Sequence, residues 1–118
     1  MFRHMMKSKL HGAHITAAEL YYEGSITIAR DLMEAADLLD GERVQVVNMQ
    51  NGSRIETYVI EGEAGSGVIC LNGPAARSAV VGDVVHIISY CLADDAEAAA
   101  LKPRVAILGD HNEVVSTK

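Results

Sequence analysis

The segment RVQVVNMQNGSRIETYVI, residues 43–60, indicates the fold class of this chain. Its two halves, 43–49 and 54–60, are short runs rich in β-branched residues, which favour extended strands. Between them stands Asn51-Gly52, a pair that accepts the positive φ angles of a type I′ hairpin turn. The segment therefore predicts an antiparallel β-hairpin.

Outward from this hairpin, the same reasoning predicts further short strands over residues 8–16, 21–22, 26–28, 68–71, 84–92 and 104–108. In the first of them, the period of two places Lys9, His11 and Ala13 on one face. Many short strands separated by turns are typical of a small barrel. We therefore expect a mainly β protein, a small β-barrel with short helices.

Two helices and a loose tail complete the prediction. Apolar residues at Leu32, Ala35, Ala36 and Leu39 follow the i, i+3, i+4, i+7 spacing of an amphipathic helix over residues 29–39. Asp40-Gly41 is expected to end that helix, and the alanine-rich segment 93–101 predicts a second one. The polar residues 110–118 are expected to be loose.

Composition limits the classes of protein to consider. A chain of 118 residues with 49% hydrophobic and 22% charged residues predicts one soluble globular domain, residues 1–118. The net charge of −6 argues against a nucleic-acid partner, since such binding draws affinity from phosphate neutralisation. No apolar run approaches the roughly 20 residues that span a bilayer, so we expect no membrane association. Cys70 and Cys91 lack metal-ligand spacing and are expected to be buried, reduced thiols of a cytoplasmic protein.

One Gly-Ser pair carries a chemical hypothesis. Gly24-Ser25 directly precedes the β-branched run of residues 26–28, whereas Gly52-Ser53 and Gly65-Ser66 lie in turn or loop sequences. A serine hydroxyl can attack the preceding carbonyl and convert the amide to an ester. Elimination and hydrolysis then leave a pyruvoyl group, an electrophilic ketone at the new N-terminus. Most Gly-Ser pairs are ordinary turns, and the spacing alone favours that interpretation.

The second strand of the hairpin carries candidate catalytic groups. Arg54 and Tyr58 are four residues apart and share one strand face, while Thr57 points the opposite way. A guanidinium suits a carboxylate because its donors form a fixed fork. A phenol can deliver a proton to a carbanion. Each residue taken singly is also an ordinary strand-surface residue.

Several motifs together resemble one family. They are KSKLH (7–11), YEGSITI (22–28), NGSR (51–54), TY (57–58), GSG (65–67), LNGPAAR (71–77) and GD (82–83). In this order and spacing, over most of residues 1–110, the chain resembles the bacterial aspartate 1-decarboxylase family, which is pyruvoyl-dependent. The resemblance implies a double-psi β-barrel and a homotetramer with active sites between subunits.

The resemblance also implies a reaction. The chain would be a proenzyme that cleaves itself into 1–24 and 25–118, with Ser25 becoming a covalently bound pyruvoyl group and no metal involved. Aspartate would form a Schiff base with that group, lose its α-carboxylate as CO2 and leave as β-alanine for pantothenate and coenzyme A biosynthesis in the cytoplasm.

Site residues follow from the same resemblance. Tyr58 would be the proton donor, Thr57 would orient the reacting carbonyl, and Arg54 would bind a substrate carboxylate. The remaining pocket residues implied by the family are Lys9, His11, Tyr22, Asn72, Gly73, Pro74 and Ala75, with Gly24 ending the short fragment. His86 departs from the family, which carries an aliphatic residue there, and is either a satisfied core histidine or a tuner of substrate fit.

Two alternatives stay open. One is a pyruvoyl-dependent decarboxylase acting on a different amino acid. The other is a non-catalytic β-barrel binding module that never cleaves. The sequence also leaves open the rate of self-cleavage and whether a separate maturation factor triggers it.

Overall fold

The computed structural model describes all residues from 1 to 118 and confirms the mainly β class. The chain forms nine strands, two short α-helices and one 3₁₀ turn. The strands are β1 (Phe2–His14), β2 (Ala17–Glu19), β3 (Ser25–Ala29), β4 (Arg43–Asn48), β5 (Arg54–Gly62), β6 (Ile69–Asn72), β7 (Val84–Asp94), β8 (Arg104–Leu108) and β9 (Val114–Thr117). The helices are α1 (Arg30–Ala35) and α2 (Asp95–Ala100), and the 3₁₀ turn is Gly73–Ser78.

The strands form one sheet in the order β2-β6-β3-β5-β4-β7-β1-β8-β9. Leu71 on β6 and Leu108 on β8 stand near opposite ends of this order, yet both belong to one cluster of 20 buried apolar residues. The sheet therefore curls around a single interior. Neither of the two six-residue α-helices has the length or the apolar character that a membrane-spanning helix requires.

The predicted hairpin is confirmed, but its turn differs from the expected type. β4 and β5 pair antiparallel, with Val46 opposite Ile55. Gly52 has a positive φ of 72°, whereas Asn51 does not, so the turn is not type I′. Instead Asn51 uses its side-chain oxygen to accept the Ser53 N–H at 2.8 Å, which is the local hydrogen bonding that suits asparagine to turns.

A bulge breaks the expected alternation of β1. Leu10 pairs with Ile87 and Ala13 with Val85, so β1 advances three residues while β7 advances two. Gly12 takes up the extra residue with a φ of +80°. Ala13 consequently turns into the core beside Leu10, and the prediction that it shares a face with Lys9 and His11 is wrong.

Several boundaries also differ. Helix α1 ends at Ala35 because the chain becomes left-handed at Asp37, and Leu39 is exposed rather than on the buried face. Residues 21–22 form a turn, and a strand lies instead at Ala17–Glu19. The tail is not loose, because Val114–Thr117 pairs antiparallel with β8 through backbone hydrogen bonds.

Candidate functional site

Ser25 is the first residue of β3, which lies between β5 and β6 in the sheet. It is fully buried and pairs with Asn72 of β6 on one side. On the other side, the β3–β5 ladder starts with Ile26 opposite Val59, so Tyr58 is the residue just before the ladder. The Gly24-Ser25 bond therefore has β6 on one side. On the other side it lies just before the point where β3 begins to pair with β5.

A buried hydrogen-bond network holds the Ser25 hydroxyl. The Asn72 side-chain amide donates from Nδ2 to Ser25 Oγ at 2.8 Å and to Thr27 Oγ1 at 3.0 Å. Its Oδ1 accepts from the Cys70 thiol at 3.3 Å. The Ser25 hydroxyl itself donates to the Glu23 carbonyl over a longer 3.4 Å. Asn72 thus has all its side-chain polar groups paired, as a buried amide requires.

Gly24 and Gly73 contact each other beside this bond, but only at Gly73 is there no room for a side chain. Gly73 has a φ of +65°, and a Cβ there would lie 2.7 Å from the Tyr22 carbonyl oxygen and 2.9 Å from the Gly24 Cα. A Cβ at Gly24 would meet only Pro74 Cδ, at an ordinary 3.6 Å. Gly73 is therefore the residue that lets the 3₁₀ turn pack on the chain before Ser25.

A cavity of about 410 Å³ opens beside Gly24. Its lining residues are Gly24, Ile55, Glu56, Thr57, Tyr58, Pro74, Ala75 and Ser78. It therefore brings together five residues that the sequence nominated. Ile55, Glu56 and Ser78 were not nominated, although the first two stand between Arg54 and Thr57 in β5. The Ser78 carbonyl accepts from Asn48 Nδ2 at 3.1 Å, which ties the 3₁₀ turn to the hairpin.

The nominated cations lie outside this cavity. Arg54 donates from Nη1 to Gln45 Oε1 at 2.7 Å, and Tyr90 donates to the same oxygen at 3.0 Å. Neither Arg54 nor Lys9 has a carboxylate within 4.0 Å, so both charges are free of ion pairs. In the sheet order, the strand of Lys9 is separated from β3 by β5, β4 and β7. The cavity of one chain thus contains no cation.

His11, a nominated residue, packs against His86. The His11 and His86 rings stack with centroids 4.0 Å apart and planes 20° from parallel. His86 Nδ1 accepts the Gly12 N–H at 3.0 Å, so His86 is a hydrogen-bonded histidine, half-buried rather than in the core. Burial, with the nearby His11 and Lys9 charges, lowers the pKa of His86 to about 4.

A second, larger cavity of about 620 Å³ adjoins the first through Glu56, which lines both. It is lined by His4, Arg43, Val44, Gln45, Glu56, Tyr90, Cys91 and Leu92. Cys91 is half-buried there, so the expectation of a buried thiol is wrong for Cys91 and confirmed for Cys70. An Arg43 hydrogen bond lowers the pKa of Glu56, which is therefore ionised at neutral pH.

No cluster of three or more His, Cys, Asp or Glu side chains has an arrangement that could hold a metal ion. The Tyr22 side chain, nominated for the pocket, is exposed, and it is the Tyr22 carbonyl that faces Gly73.

Known proteins resemble this chain over nearly its whole length. The sequence model of one family, described as aspartate decarboxylase, matches residues 1–115. A protein named aspartate 1-decarboxylase from Shouchella clausii is 57% identical over 98% of this chain and 91% of its own. One of the same name from Thermoanaerobacter pseudethanolicus is 55% identical over 98% and 99%. One from Moorella thermoacetica is 57% identical over 100% and 92%.

A solved structure shows the fold. The chain is similar to the crystal structure of a rationally designed protein, mkDPBB_sym_86, with a TM-score of 0.50 and 19% identity. The match covers 65% of this chain and 90% of the designed one. This likeness concerns the fold alone, and it confirms the expected double-psi β-barrel.

Proposed function

Because the chain belongs to the aspartate decarboxylase family, we propose that it removes the α-carboxylate of L-aspartate, giving β-alanine and CO2, with a pyruvoyl group made from its own Ser25. The observation that carries the proposal is the buried Asn72 hydrogen bond to Ser25 Oγ, beside a cavity that Thr57 and Tyr58 line. The relatives' names supply the aspartate substrate.

Self-cleavage uses the atoms of the chain and one water. Ser25 Oγ attacks the Gly24 carbonyl carbon, and the amide becomes an ester with a free amine at residue 25. Loss of the residue 25 α-proton then expels the Gly24 carboxylate and leaves a dehydroalanine, which takes up water and releases ammonia. The Asn72 N–H on Oγ favours the elimination, because a hydrogen bond strengthens as its acceptor gains negative charge.

The surroundings of residue 25 fit a ketone at that place. The site is buried, and the Asn72 amide N–H loses its Ser25 Oγ partner on cleavage, because that oxygen leaves with Gly24; the N–H then remains as a donor close to the new carbonyl at residue 25. A pyruvoyl group there supplies the electron sink that decarboxylation needs. Tyr58 then delivers a proton to the substrate α-carbon from its phenol, and Thr57 orients the substrate with its hydroxyl. Both side chains line the same cavity as Gly24.

The retained carboxylate of the substrate needs a cation that the cavity of one chain lacks. Arg54 and Lys9 carry charges free of ion pairs and are proposed to hold that carboxylate, with His11 and Tyr22 beside them. Their position outside the cavity supports a homotetramer in which a neighbouring subunit completes each site. Supply of β-alanine to pantothenate synthesis in the cytoplasm belongs to the same proposal.

An intact-protein mass spectrum under denaturing conditions tests the proposal. We expect two species that divide between Gly24 and Ser25, the larger lighter by one ammonia than a serine-started fragment. The Ser25→Ala variant should give one uncut mass. An unsubstituted chain that stays uncut after warm incubation would support a non-catalytic binding module instead. Comparing L-aspartate with other amino acids as substrates then tests the alternative decarboxylase.

A further inference from the structure

We propose that Cys70 is a positioning residue for self-cleavage at Gly24-Ser25, because its thiol fixes the Asn72 amide with its N–H toward Ser25 Oγ. The inference rests on the proposed function and adds a residue that the reaction itself does not touch. Cys70 is buried on β6, where it pairs with Thr27 of β3. It therefore lies next to the strand that starts at Ser25.

The thiol has one near acceptor. Cys70 Sγ lies 3.3 Å from Asn72 Oδ1 and 3.9 Å from the Leu71 carbonyl oxygen. Sulfur is large, so 3.3 Å is close for an S–H donor. Burial, helped by the Glu19 charge, raises the pKa of the Cys70 thiol, so the proton needed for this hydrogen bond is retained at neutral pH.

The orientation of the Asn72 amide depends on this donor. Hydroxyl groups donate and accept, so Ser25 and Thr27 could face either end of a side-chain amide. A thiol donates better to oxygen than sulfur accepts from nitrogen, so Cys70 favours Oδ1 on its own side. Nδ2 then points at Ser25 Oγ and Thr27 Oγ1, at 2.8 and 3.0 Å.

The reverse orientation would impair the elimination. With Oδ1 toward Ser25, the hydroxyl would donate to the amide, and Oγ would have no N–H donor. The Gly24 carboxylate, which departs from the Cβ of residue 25 and takes Oγ with it, would then lose its stabilising hydrogen bond. Cys70 thus acts on Ser25 through Asn72, and its effect should appear in the cleavage rate.

Three variants separate the thiol proton from the thiol volume. Cys70→Ala removes the donor, Cys70→Ser keeps a donor of smaller size, and Cys91→Ala is the matched control at the other cysteine. We expect C70A to slow cleavage about threefold to tenfold, the effect of losing one modest hydrogen bond in a transition state. C70S should cleave close to the unsubstituted rate, as should C91A. The uncut fraction is followed by intact mass from fresh purified protein.

C70A should also accumulate the ester intermediate, because the elimination is the step that becomes slower. Hydroxylamine cleaves esters and therefore detects this intermediate. Equal slowing in C70A and C70S would overturn the inference, since packing and not the donor would then matter. Unchanged cleavage in C70A would overturn it as well. An unsubstituted chain that never cleaves would instead contradict the proposed function, so the two failures are distinct.

A spectroscopic readout does not depend on cleavage or on the stability of C70A. In a Ser25→Ala, Cys91→Ala chain, Cys70 is the sole thiol, because the protein has two cysteines. Its S–H stretching band should lie below that of a solvent-exposed thiol and rise when Asn72→Ala removes the acceptor. An S–H stretching frequency that is unchanged by the N72A substitution would show that Cys70 does not donate to Asn72.

Discussion

At the scale of single residues, Gly73 and Gly24 contact each other but differ in how well they should tolerate a side chain. Gly73→Ala would push a Cβ against the Tyr22 carbonyl and the Gly24 Cα at a positive φ. We expect it to lower the free energy of unfolding by roughly 1–3 kcal/mol. Gly24→Ala, the matched control, should unfold within a few degrees of the parent. Thermal unfolding in a Ser25→Ala background keeps all chains uncut, and equal melting temperatures would contradict this assignment.

Tyr58 provides a second prediction at this scale. Its phenol lines the cavity beside Gly24, and no hydrogen bond of the Ser25 network involves it. Tyr58→Phe should therefore leave self-cleavage intact by mass spectrometry. It should lower kcat for decarboxylation about 10²-fold or more, the usual contribution of a positioned proton donor. Full turnover in a completely cleaved Y58F enzyme would remove Tyr58 from that role.

His86 makes stability depend on pH. Its pKa is about 4 in the fold and 6.5 in the unfolded chain, so between these values the unfolded chain binds the proton. The neutral ring therefore stabilises the fold above pH 6.5, and that contribution declines as the pH falls toward 4. Protonated His11 and the Lys9 ammonium oppose a charge on His86.

His86→Asn keeps an acceptor for the Gly12 N–H but does not titrate. We expect its melting temperature to fall less than that of the parent between pH 7 and pH 4.5. Melting curves across this range check the prediction. Parallel losses in both proteins would mean that His86 contributes nothing to acid sensitivity.

At the scale of strands and helices, short apolar runs were the most reliable signal. Arg104–Leu108 was predicted to the residue, since four consecutive apolar residues follow Arg104 and two of them are β-branched. β9 was missed because its four residues are exposed and mostly held by backbone pairing, which leaves no apolar pattern. The β1 bulge depends on one glycine φ angle, for which a sequence gives no unique signal.

The site likewise contains residues that the sequence could predict and others that depend on strand pairing. Tyr58 was a candidate proton donor from its place on one strand, whereas the role of Thr57 was implied only by the family resemblance. The Cys70–Asn72–Ser25 network depends on the register between β3 and β6, which brings residues 25 and 72 together. No spacing within either strand encodes that register, so Cys70 looked like an ordinary buried thiol.

The C-terminal turn is fastened to the barrel by Asn112. This buried residue accepts the His14 N–H at 2.7 Å and donates to the His14 and Gly67 carbonyls at 2.9 and 2.8 Å. Asn112→Ala should lower the free energy of unfolding by roughly 2–4 kcal/mol, since it leaves buried backbone groups unpaired. Denaturant unfolding measures this loss.

Asn112 also has a φ of 60°, which alanine tolerates poorly. Asn112→Gly removes the side-chain hydrogen bonds while relieving that strain, so it serves as the control. We expect N112G to keep most of the destabilisation. Recovery to the parental stability would show that strain, and not hydrogen bonding, dominates at this position.

At the scale of the whole molecule, the proposed active site needs more than one chain. Lys9→Ala and Tyr58→Phe should each have low activity alone if Lys9 serves the cavity of a neighbouring subunit. Co-expressed, they should recover about a quarter of the activity, because random assembly pairs an intact Lys9 with an intact Tyr58 in that share of sites. Specific activity of the purified mixed oligomer checks this. Activity no higher than the mean of the two variants would place Lys9 and Tyr58 in the same chain or outside the site.

Complete burial of Ser25 means that the covalent state of each molecule would depend on the time since it folded. No solvent contact reaches its side chain in the folded protein, so outside reagents cannot reach the hydroxyl that makes the cut. Under the proposed chemistry, the cut is then an event internal to each chain, with the same half-life in dilute and concentrated solution. The fraction of whole chains in a sample would report the time since folding, and old and young molecules of one sequence would differ in their covalent structure.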